Sequence, residues 1–202
     1  MEFSGERASL TDLADINAAL LPVGARLWPI DLRGIPDDIR GFLAKPTLDE
    51  KGVAVVREHF LLPRERLLEL IEQAGRAPQV PGGGEMSTLD ATNDVRYPQL
   101  YTVEAGTDYT RFDRFHTNTS GDGPGVDEVM QILSGGGFRV LQQPPEEAAF
   151  TLHIDCVADE YGWLLTYDGG YPHIGSLSGG RPGTKLLVQA IGPAQWEMSY
   201  EE

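Results

Sequence analysis

Six short apolar runs, separated by clusters of Gly, Pro and Asp, occupy the chain from residue 99 onward and constrain its fold most strongly. They span residues 99–103, 128–133, 138–142, 149–157, 163–167 and 185–191. Apolar runs of this length between turn-forming residues are typical of β-strands. Six or more such strands predict a mainly β domain, built as a barrel or as a two-sheet sandwich.

The first 80 residues have a helical pattern instead. A first helix is predicted to start at a Ser9 or Thr11 cap, a second at the capping box of residues 47–50, and a third at Pro63. Residues 78–85, which include Gly82 to Gly84, form a flexible break. We therefore expect a helical segment at 1–80, packed on the outside of a β domain at 86–202.

The amino-acid composition limits the possible binding partners and the compartment of this protein. The 202-residue chain carries 16 basic and 31 acidic residues, and its formal net charge of -15 opposes binding to nucleic acid or to anionic membranes. Its single cysteine, Cys156, rules out an intramolecular disulfide and a cysteine zinc site, and indicates a reducing compartment. Without a signal peptide pattern or an apolar run of membrane-spanning length, we expect a cytoplasmic protein.

His116, Glu128 and His173 are the candidate metal ligands. Two imidazoles and one carboxylate are the ligand types of mononuclear oxygenase sites. Glu128 opens an otherwise apolar strand, where an unpaired buried carboxylate would be costly. The glycines at 135–137 that follow this strand predict a hairpin turn. His153, in the middle of another apolar run, is expected to be a core or inward-facing histidine, or a replacement ligand.

The order of these residues resembles the cupin superfamily, and within it the acireductone dioxygenases. The segments that carry the resemblance are His116-Thr117-Asn118, Asp127-Glu128-Val129, Gly135-Gly136-Gly137, Phe150-Thr151-Leu152-His153-Ile154 and Asp168-Gly169-Gly170-Tyr171-Pro172-His173. Residues 20–28, where a helix ends at a Gly-Ala-Arg turn before a tryptophan, are also similar to the family's start. The resemblance implies a single cupin barrel, of the double-stranded β-helix or jelly-roll type, holding one Fe(II) or Ni(II) ion.

Three departures from the family pattern point to a changed substrate. The family's second metal-binding histidine falls on Asn118, whose amide could be a ligand, a substrate donor or a turn-stabilising group. An extra loop occupies residues 119–126, and the family's substrate-holding arginine falls on Met130. We expect Met130, Arg114 and Trp163 to meet the substrate. If the substrate is anionic, four cationic side chains could face it, namely Arg111, Arg114, Arg139 and Lys185.

The resemblance therefore implies a metal-dependent dioxygenase that acts on a small enediol-like or oxygenated metabolite. Its metal would be held by His116, Glu128 and His173, with Asn118 or water beside them, and Glu128 could also act as the base. Two alternatives remain open. One is a cupin isomerase, lyase or hydrolase of a biosynthetic pathway, and the other is a non-catalytic small-molecule binding protein. The expected partners are a small substrate and dioxygen, in a monomer or homodimer.

Overall fold

A computed structural model of the chain describes residues 1–3, 6–86, 95–121, 123–158 and 160–200. In these ranges the protein is mainly β, with two antiparallel sheets and a few helices. The predicted mainly β class is therefore confirmed. No helix in the described ranges is long and apolar enough to cross a membrane.

The helices lie in the first 80 residues. They are α1 (Leu13–Leu20), α2 (Asp37–Leu43), α3 (Glu50–Phe60) and α4 (Arg64–Gln73). Asp12, rather than Ser9 or Thr11, caps α1, because its carboxylate accepts the N–H of Ala14 at 2.9 Å. Asp49 caps α3 in the same way, through the Gly52 N–H at 2.8 Å. The sequence pattern did not predict α2, because this helix is short and has no side-chain cap.

Thirteen strands are present in the described ranges. They are β1 (Glu2–Phe3), β2 (Glu6–Ser9), β3 (Arg26–Asp31), β4 (Glu85–Met86), β5 (Gln99–Thr102), β6 (His116–Thr119), β7 (Asp127–Ser134), β8 (Phe138–Gln142), β9 (Phe150–Ile154), β10 (Tyr161–Asp168), β11 (His173–Ser176), β12 (Lys185–Gly192) and β13 (Glu197–Tyr200). Each of the six predicted runs corresponds to one strand, namely β5, β7, β8, β9, β10 and β12.

The strands form a seven-stranded and a six-stranded sheet. The seven-stranded sheet has the order β13-β6-β11-β8-β9-β1-β2, and the six-stranded sheet has the order β3-β10-β7-β12-β4, with β5 also paired to β12. Residues 1–80 thus contribute β1 and β2 to one sheet and β3 to the other, in addition to the predicted helices. The paired strands β3 and β10 share a register from Arg26 opposite Thr166 to Asp31 opposite Tyr161.

The three central strands of the six-stranded sheet, β10, β7 and β12, are buried on both faces. The inner face of this sheet shares the main core with the seven-stranded sheet, through residues such as Ile132 and Leu165 against Val140 and Leu152. Helices α2 and α3 cover one part of its outer face, and α4 covers another. Every residue of β12 is consequently buried, whereas β8 and β9 alternate between buried and more exposed positions.

The glycine turn at 135–137 is not a hairpin, contrary to prediction. Strand β7 belongs to the six-stranded sheet and β8 to the seven-stranded sheet, so the turn carries the chain from one sheet to the other. Gly135 has a φ of +78°, and a Cβ added there would lie 2.2 Å from Thr184 Oγ1. Only glycine fits this crossing without displacing its neighbours.

Candidate functional site

The three candidate ligands come together between the two sheets. His116 on β6 lies directly opposite His173 on β11, and their ring centres are 4.3 Å apart. Glu128, on β7 of the facing sheet, places its Oε1 3.8 Å from His173 Nε2. All three side chains are buried, with 3%, 1% and 1% of their surface exposed, respectively. The alternation of β6 turns His116 and Asn118 inward and the two threonines at 117 and 119 outward.

Each histidine forms a hydrogen bond to a backbone carbonyl through its Nδ1. His116 Nδ1 lies 2.8 Å from the Arg114 carbonyl oxygen, and His173 Nδ1 lies 2.8 Å from that of Tyr171. A carbonyl only accepts hydrogen bonds, so each Nδ1 carries the proton and each Nε2 keeps its lone pair. Burial lowers the pKa of both histidines to about 4, which keeps the rings neutral at neutral pH. Fixing a ring through its second nitrogen is typical of histidine metal ligands.

Glu128 accepts hydrogen bonds from three side chains. Tyr167 Oη donates to Oε2 at 2.5 Å, Asn118 Nδ2 donates to Oε1, and Tyr97 Oη lies 3.4 Å from Oε1. Burial raises the pKa of Glu128, while the hydrogen bonds from Tyr167 and Asn118 act in the opposite direction. The donors therefore stabilise a carboxylate that no lysine or arginine among the described residues contacts.

Asn118 presents its amide nitrogen, not its oxygen, to Glu128. Exchanging the two atoms would set the amide oxygen against a carboxylate oxygen, so the hydrogen bond fixes this orientation. The Oδ1 atom is buried and has no partner in the described part of the chain. Asn118 as placed therefore orients Glu128 through Nδ2, and its Oδ1, the atom through which amides coordinate metals, takes no part in this contact.

A small cavity of about 30 Å³ adjoins these residues. A cavity of this size holds one or two water-sized groups. Its polar lining is His116, Glu128, His173, Tyr97, Tyr101 and Tyr167, and its apolar lining is Phe112, Met130, Gly175, Leu177, Leu186, Val188 and Met198. Met130 lines this cavity, with its sulfur 3.7 Å from Tyr167 Oη. An uncharged thioether cannot pair with an anion, so this wall differs chemically from one that contains arginine.

Arg114 and Trp163 do not line this cavity. The Arg114 side chain is exposed, with its guanidinium 4.4 Å from the centre of the Tyr200 ring. Only its backbone reaches the site, through the carbonyl that His116 contacts. Trp163 is half-buried at a separate groove of about 480 Å³ beside α1, where its Nε1 donates to the Asp155 carbonyl at 2.9 Å.

The inward-facing prediction for His153 is wrong. Strand β9 turns Phe150, Leu152 and Ile154 toward the core, so alternation turns His153 outward, where it is exposed. It cannot replace a ligand at Glu128, which lies on the inner side of the other sheet.

Sequence reasoning missed the tyrosines that surround the carboxylate. Tyr167 lies directly opposite Glu128 in the pairing of β10 with β7, and Tyr97 stacks on Trp196 at 5.4 Å. In the sequence, both tyrosines resemble ordinary core aromatic residues. Only the register of β10 with β7 reveals that the Tyr167 hydroxyl meets Glu128, and only the tertiary structure brings the Tyr97 hydroxyl, from outside the strands, to the same carboxylate.

The donor types at this site fit a single transition metal ion. Two imidazole Nε2 lone pairs and one carboxylate are available, and ligand atoms about 2 Å from a shared ion would lie about 3 to 4 Å apart, a range that includes the 3.8 Å separation of His173 from Glu128. However, in the described ranges no group of three or more His, Cys, Asp or Glu side chains is already arranged to hold a metal. Both Glu128 oxygens instead accept hydrogen bonds from neighbouring side chains.

A comparison of the chain with protein-family models, curated proteins and solved structures finds no match. The relationship to the cupins and to acireductone dioxygenase thus stays a prediction from the sequence.

Proposed function

We propose that this protein is a metal-dependent dioxygenase of the cupin type, related to acireductone dioxygenase but acting on a different small oxygenated metabolite. The main support is the pair of buried histidines, His116 and His173. Both rings are neutral, both have Nδ1 bonded to a backbone carbonyl, and Glu128 lies beside them. Both histidines and Glu128 line the same cavity, and an imidazole fixed through Nδ1 with an unprotonated Nε2 is the form in which histidine binds a metal.

The path of the chain supports the cupin part of the proposal. From β6 to β13 the strands alternate between the two sheets, except that β8 and β9 are neighbours in the same sheet. Frequent crossing between two facing antiparallel sheets is typical of jelly-roll folds. The candidate ligands lie on the inner sides of these strands, where small barrels hold ligands.

In this proposal, His116, His173 and Glu128 hold one Fe(II) or Ni(II) ion. When bound, such an ion would supply Lewis acidity and a redox partner for dioxygen. Tyr167 and Asn118 hold the Glu128 carboxylate in place and favour its ionised form. Once released from the metal, Glu128 could also be the base that accepts a proton from the substrate. The apolar side chains of the cavity exclude bulk water from this exchange.

Metal content tests the proposal. We expect the protein, purified without chelator and reconstituted with Fe(II) or Ni(II), to hold about one equivalent of metal by elemental analysis. His173→Ala removes one of two imidazole ligands and should leave less than about a tenth of an equivalent. His153→Ala is the matched control, because it removes an exposed histidine from the same sheet, and it should retain wild-type metal content.

Equal metal content in the two variants would contradict the ligand assignment.

Oxygen consumption distinguishes a dioxygenase from an isomerase, lyase or hydrolase. A dioxygenase should consume oxygen in step with a small α-hydroxyketone or enediol substrate and stop under anaerobic conditions. Substrate turnover that continues without oxygen would favour the isomerase, lyase or hydrolase alternative.

A second candidate is a cupin that binds a small molecule without catalysis. The observation that favours it is the hydrogen bonding of both Glu128 oxygens to Tyr167 and Asn118, with no ready-made three-residue chelate in the described ranges. Wild-type protein that takes up no transition metal, even after reconstitution, would support this candidate over either enzyme.

A further inference from the structure

The outer face of the seven-stranded sheet carries a groove of about 350 Å³. It lies on the opposite side of this sheet from His173, because successive side chains of β11 point to opposite faces. A volume of this size is at the lower end of the range for small-molecule sites. The residues that line the groove come from β8, β9, β11 and the short 3₁₀ helix Thr110–Asp113, and they are Asp113, Arg139, Leu141, Thr151, Ile174 and Ser176.

The register of three adjacent strands sets the floor of this groove. Ile174 on β11 lies opposite Leu141 on β8, and Leu141 in turn lies opposite Thr151 on β9. In the next outward-facing row, Ser176 lies opposite Arg139. The floor therefore has an apolar centre, with two hydroxyl groups and one guanidinium group beside it.

The two charged side chains of the groove, those of Asp113 and Arg139, are unpaired. Neither forms an ion pair or a side-chain hydrogen bond with a residue of the described ranges, whereas the exposed Arg33 and Arg181 each pair with a nearby aspartate. The Asp113 Oδ1 atom is buried without a donor, so this carboxylate has lost hydration and gained no contact in return. The groove therefore presents one unpaired anion and one unpaired cation.

The presence of both charges limits the class of ligand. Arg139 repels a metal ion or an organic cation, while Asp113 and the net charge of -15 repel phosphate and other simple anions. An uncharged apolar molecule would leave both groups unpaired. A zwitterion pairs with both, because its ammonium group donates to the carboxylate and its own carboxylate accepts two parallel hydrogen bonds from the guanidinium group.

We propose that this outer groove binds a free α-amino acid with an aliphatic side chain. Asp113 pairs with the α-ammonium group and Arg139 with the α-carboxylate, and the side chain of the ligand packs on Leu141 and Ile174. This inference goes beyond the proposed function, because the groove shares no lining residue with the inner cavity.

Three probes with the same aliphatic group test this assignment. L-Leucine is the zwitterion, L-leucinamide carries only the positive charge, and 4-methylpentanoate carries only the negative charge. Binding of each probe to the full chain is measured by titration calorimetry and ligand-detected NMR. We expect leucine to bind about tenfold more tightly than either of the other two, because each of them lacks one charge-assisted contact.

Two variants assign the ends of the ligand to the two charged residues. Asp113→Asn should weaken leucine binding about tenfold without weakening that of 4-methylpentanoate, which has no ammonium group. Arg139→Gln should weaken leucine binding by a similar factor without weakening that of leucinamide, which has no carboxylate. Asp38→Asn on α2 and Arg57→Gln on α3, both exposed and outside the groove, are the matched controls and should bind all three probes as the wild type does.

The pattern across probes separates a ligand site from an effect on folding. Because neither side chain has a partner in the described ranges, both groove variants should keep the Tm of the wild type. The absence of saturable leucine binding below about 10 mM would overturn the inference. Equal affinity of the wild type for all three probes, or a variant that weakens all three by the same factor, would overturn it as well.

Discussion

Asn118 and Glu128 depend on each other at the scale of single residues. A buried carboxylate without donors would take up a proton, and Asn118 Nδ2 is one of the donors that oppose this. Asn118 therefore helps to hold the carboxylate in place and to orient it.

That His116, Glu128 and His173 lie close together could be anticipated from their types and their order in the sequence. The positions of the Tyr97, Tyr101 and Tyr167 hydroxyl groups could not be anticipated, because a tyrosine has the same local pattern whether its hydroxyl faces solvent, core or a carboxylate. For Tyr101 and Tyr167, the register of strands distant in sequence sets this position. Tyr97 lies between β4 and β5, and its ring is placed by stacking on Trp196.

Cys156 gives a prediction at the same scale. Its Sγ lies 3.4 Å from the Ile132 carbonyl oxygen, and burial, with the nearby charge of Asp155, raises its pKa to about 12. The reactive thiolate should therefore be about a thousandfold rarer than in an ordinary cysteine at neutral pH. We expect the rate of iodoacetamide alkylation to rise throughout pH 7 to 10 without a plateau.

The control for this prediction is the same protein in urea, whose alkylation rate should level off at about pH 9, near the ordinary thiol pKa. A plateau below pH 9 in the native protein would show that Cys156 is an accessible, activated thiol instead of a packed one.

At the scale of elements, the strands that carry the site were the hardest to predict. Strands β6 and β11, which hold the two histidines, have only four residues each and little apolar character. They are strands because neighbouring strands supply their hydrogen bonds: β13 pairs with β6, and β8 pairs with β11. Local patterning predicts long apolar strands such as β7 and β12, and it cannot predict a short polar strand that its neighbours stabilise.

Lys185 illustrates how elements are joined. Its position made it a candidate for binding an anionic substrate, but its ammonium group donates to the carbonyls of Leu43, Lys45 and Gly183 at 3.0, 2.5 and 3.0 Å. It thus ties the C-terminal end of α2 to β12. Burial lowers its pKa to about 8, and its three N–H bonds are all in use below that pH.

Lys185→Met should lower the free energy of unfolding by about 2 to 4 kcal/mol, because one buried and two partly buried carbonyls lose their donor. Urea denaturation at pH 7 measures this change. Lys51→Met, on the exposed side of α3, is the matched control and should lie within about 0.5 kcal/mol of wild type. A similar small effect at Lys185 would mean that these hydrogen bonds contribute little to stability.

At the scale of the whole molecule, the N-terminal segment is part of both sheets. Strand β3 pairs along six residues of β10, and the helices cover the outer face of β7 and β12. Leu133 and Leu187, with 1% and 0% of their surface exposed, owe their burial to this cover. When the β domain expected at 86–202 is separated from residues 1–80, it therefore loses the strand β3 that pairs with β10 and the helices that cover its outer face.

We expect a fragment of residues 86–202 to fail to fold alone. It should show no cooperative thermal transition and should bind the dye ANS, because the apolar outer face of the six-stranded sheet would be exposed. The full chain is the control and should melt cooperatively. A soluble fragment with a sharp melting transition would contradict this expectation and would establish 86–202 as an independent domain.

The sequence by itself determined the mainly β class, the positions of the longer strands and three of the four helices, and the residue types of the candidate site. These follow from local patterns: apolar runs, caps, turns and the spacing of titratable residues. The tertiary structure decided the glycine crossing between sheets, the outward direction of His153, the amide orientation of Asn118 and the position of the Tyr101 hydroxyl. Each of these depends on contacts between residues that are distant in sequence. Which atoms meet in such contacts is set by the register of paired strands and by the burial of both faces of a sheet.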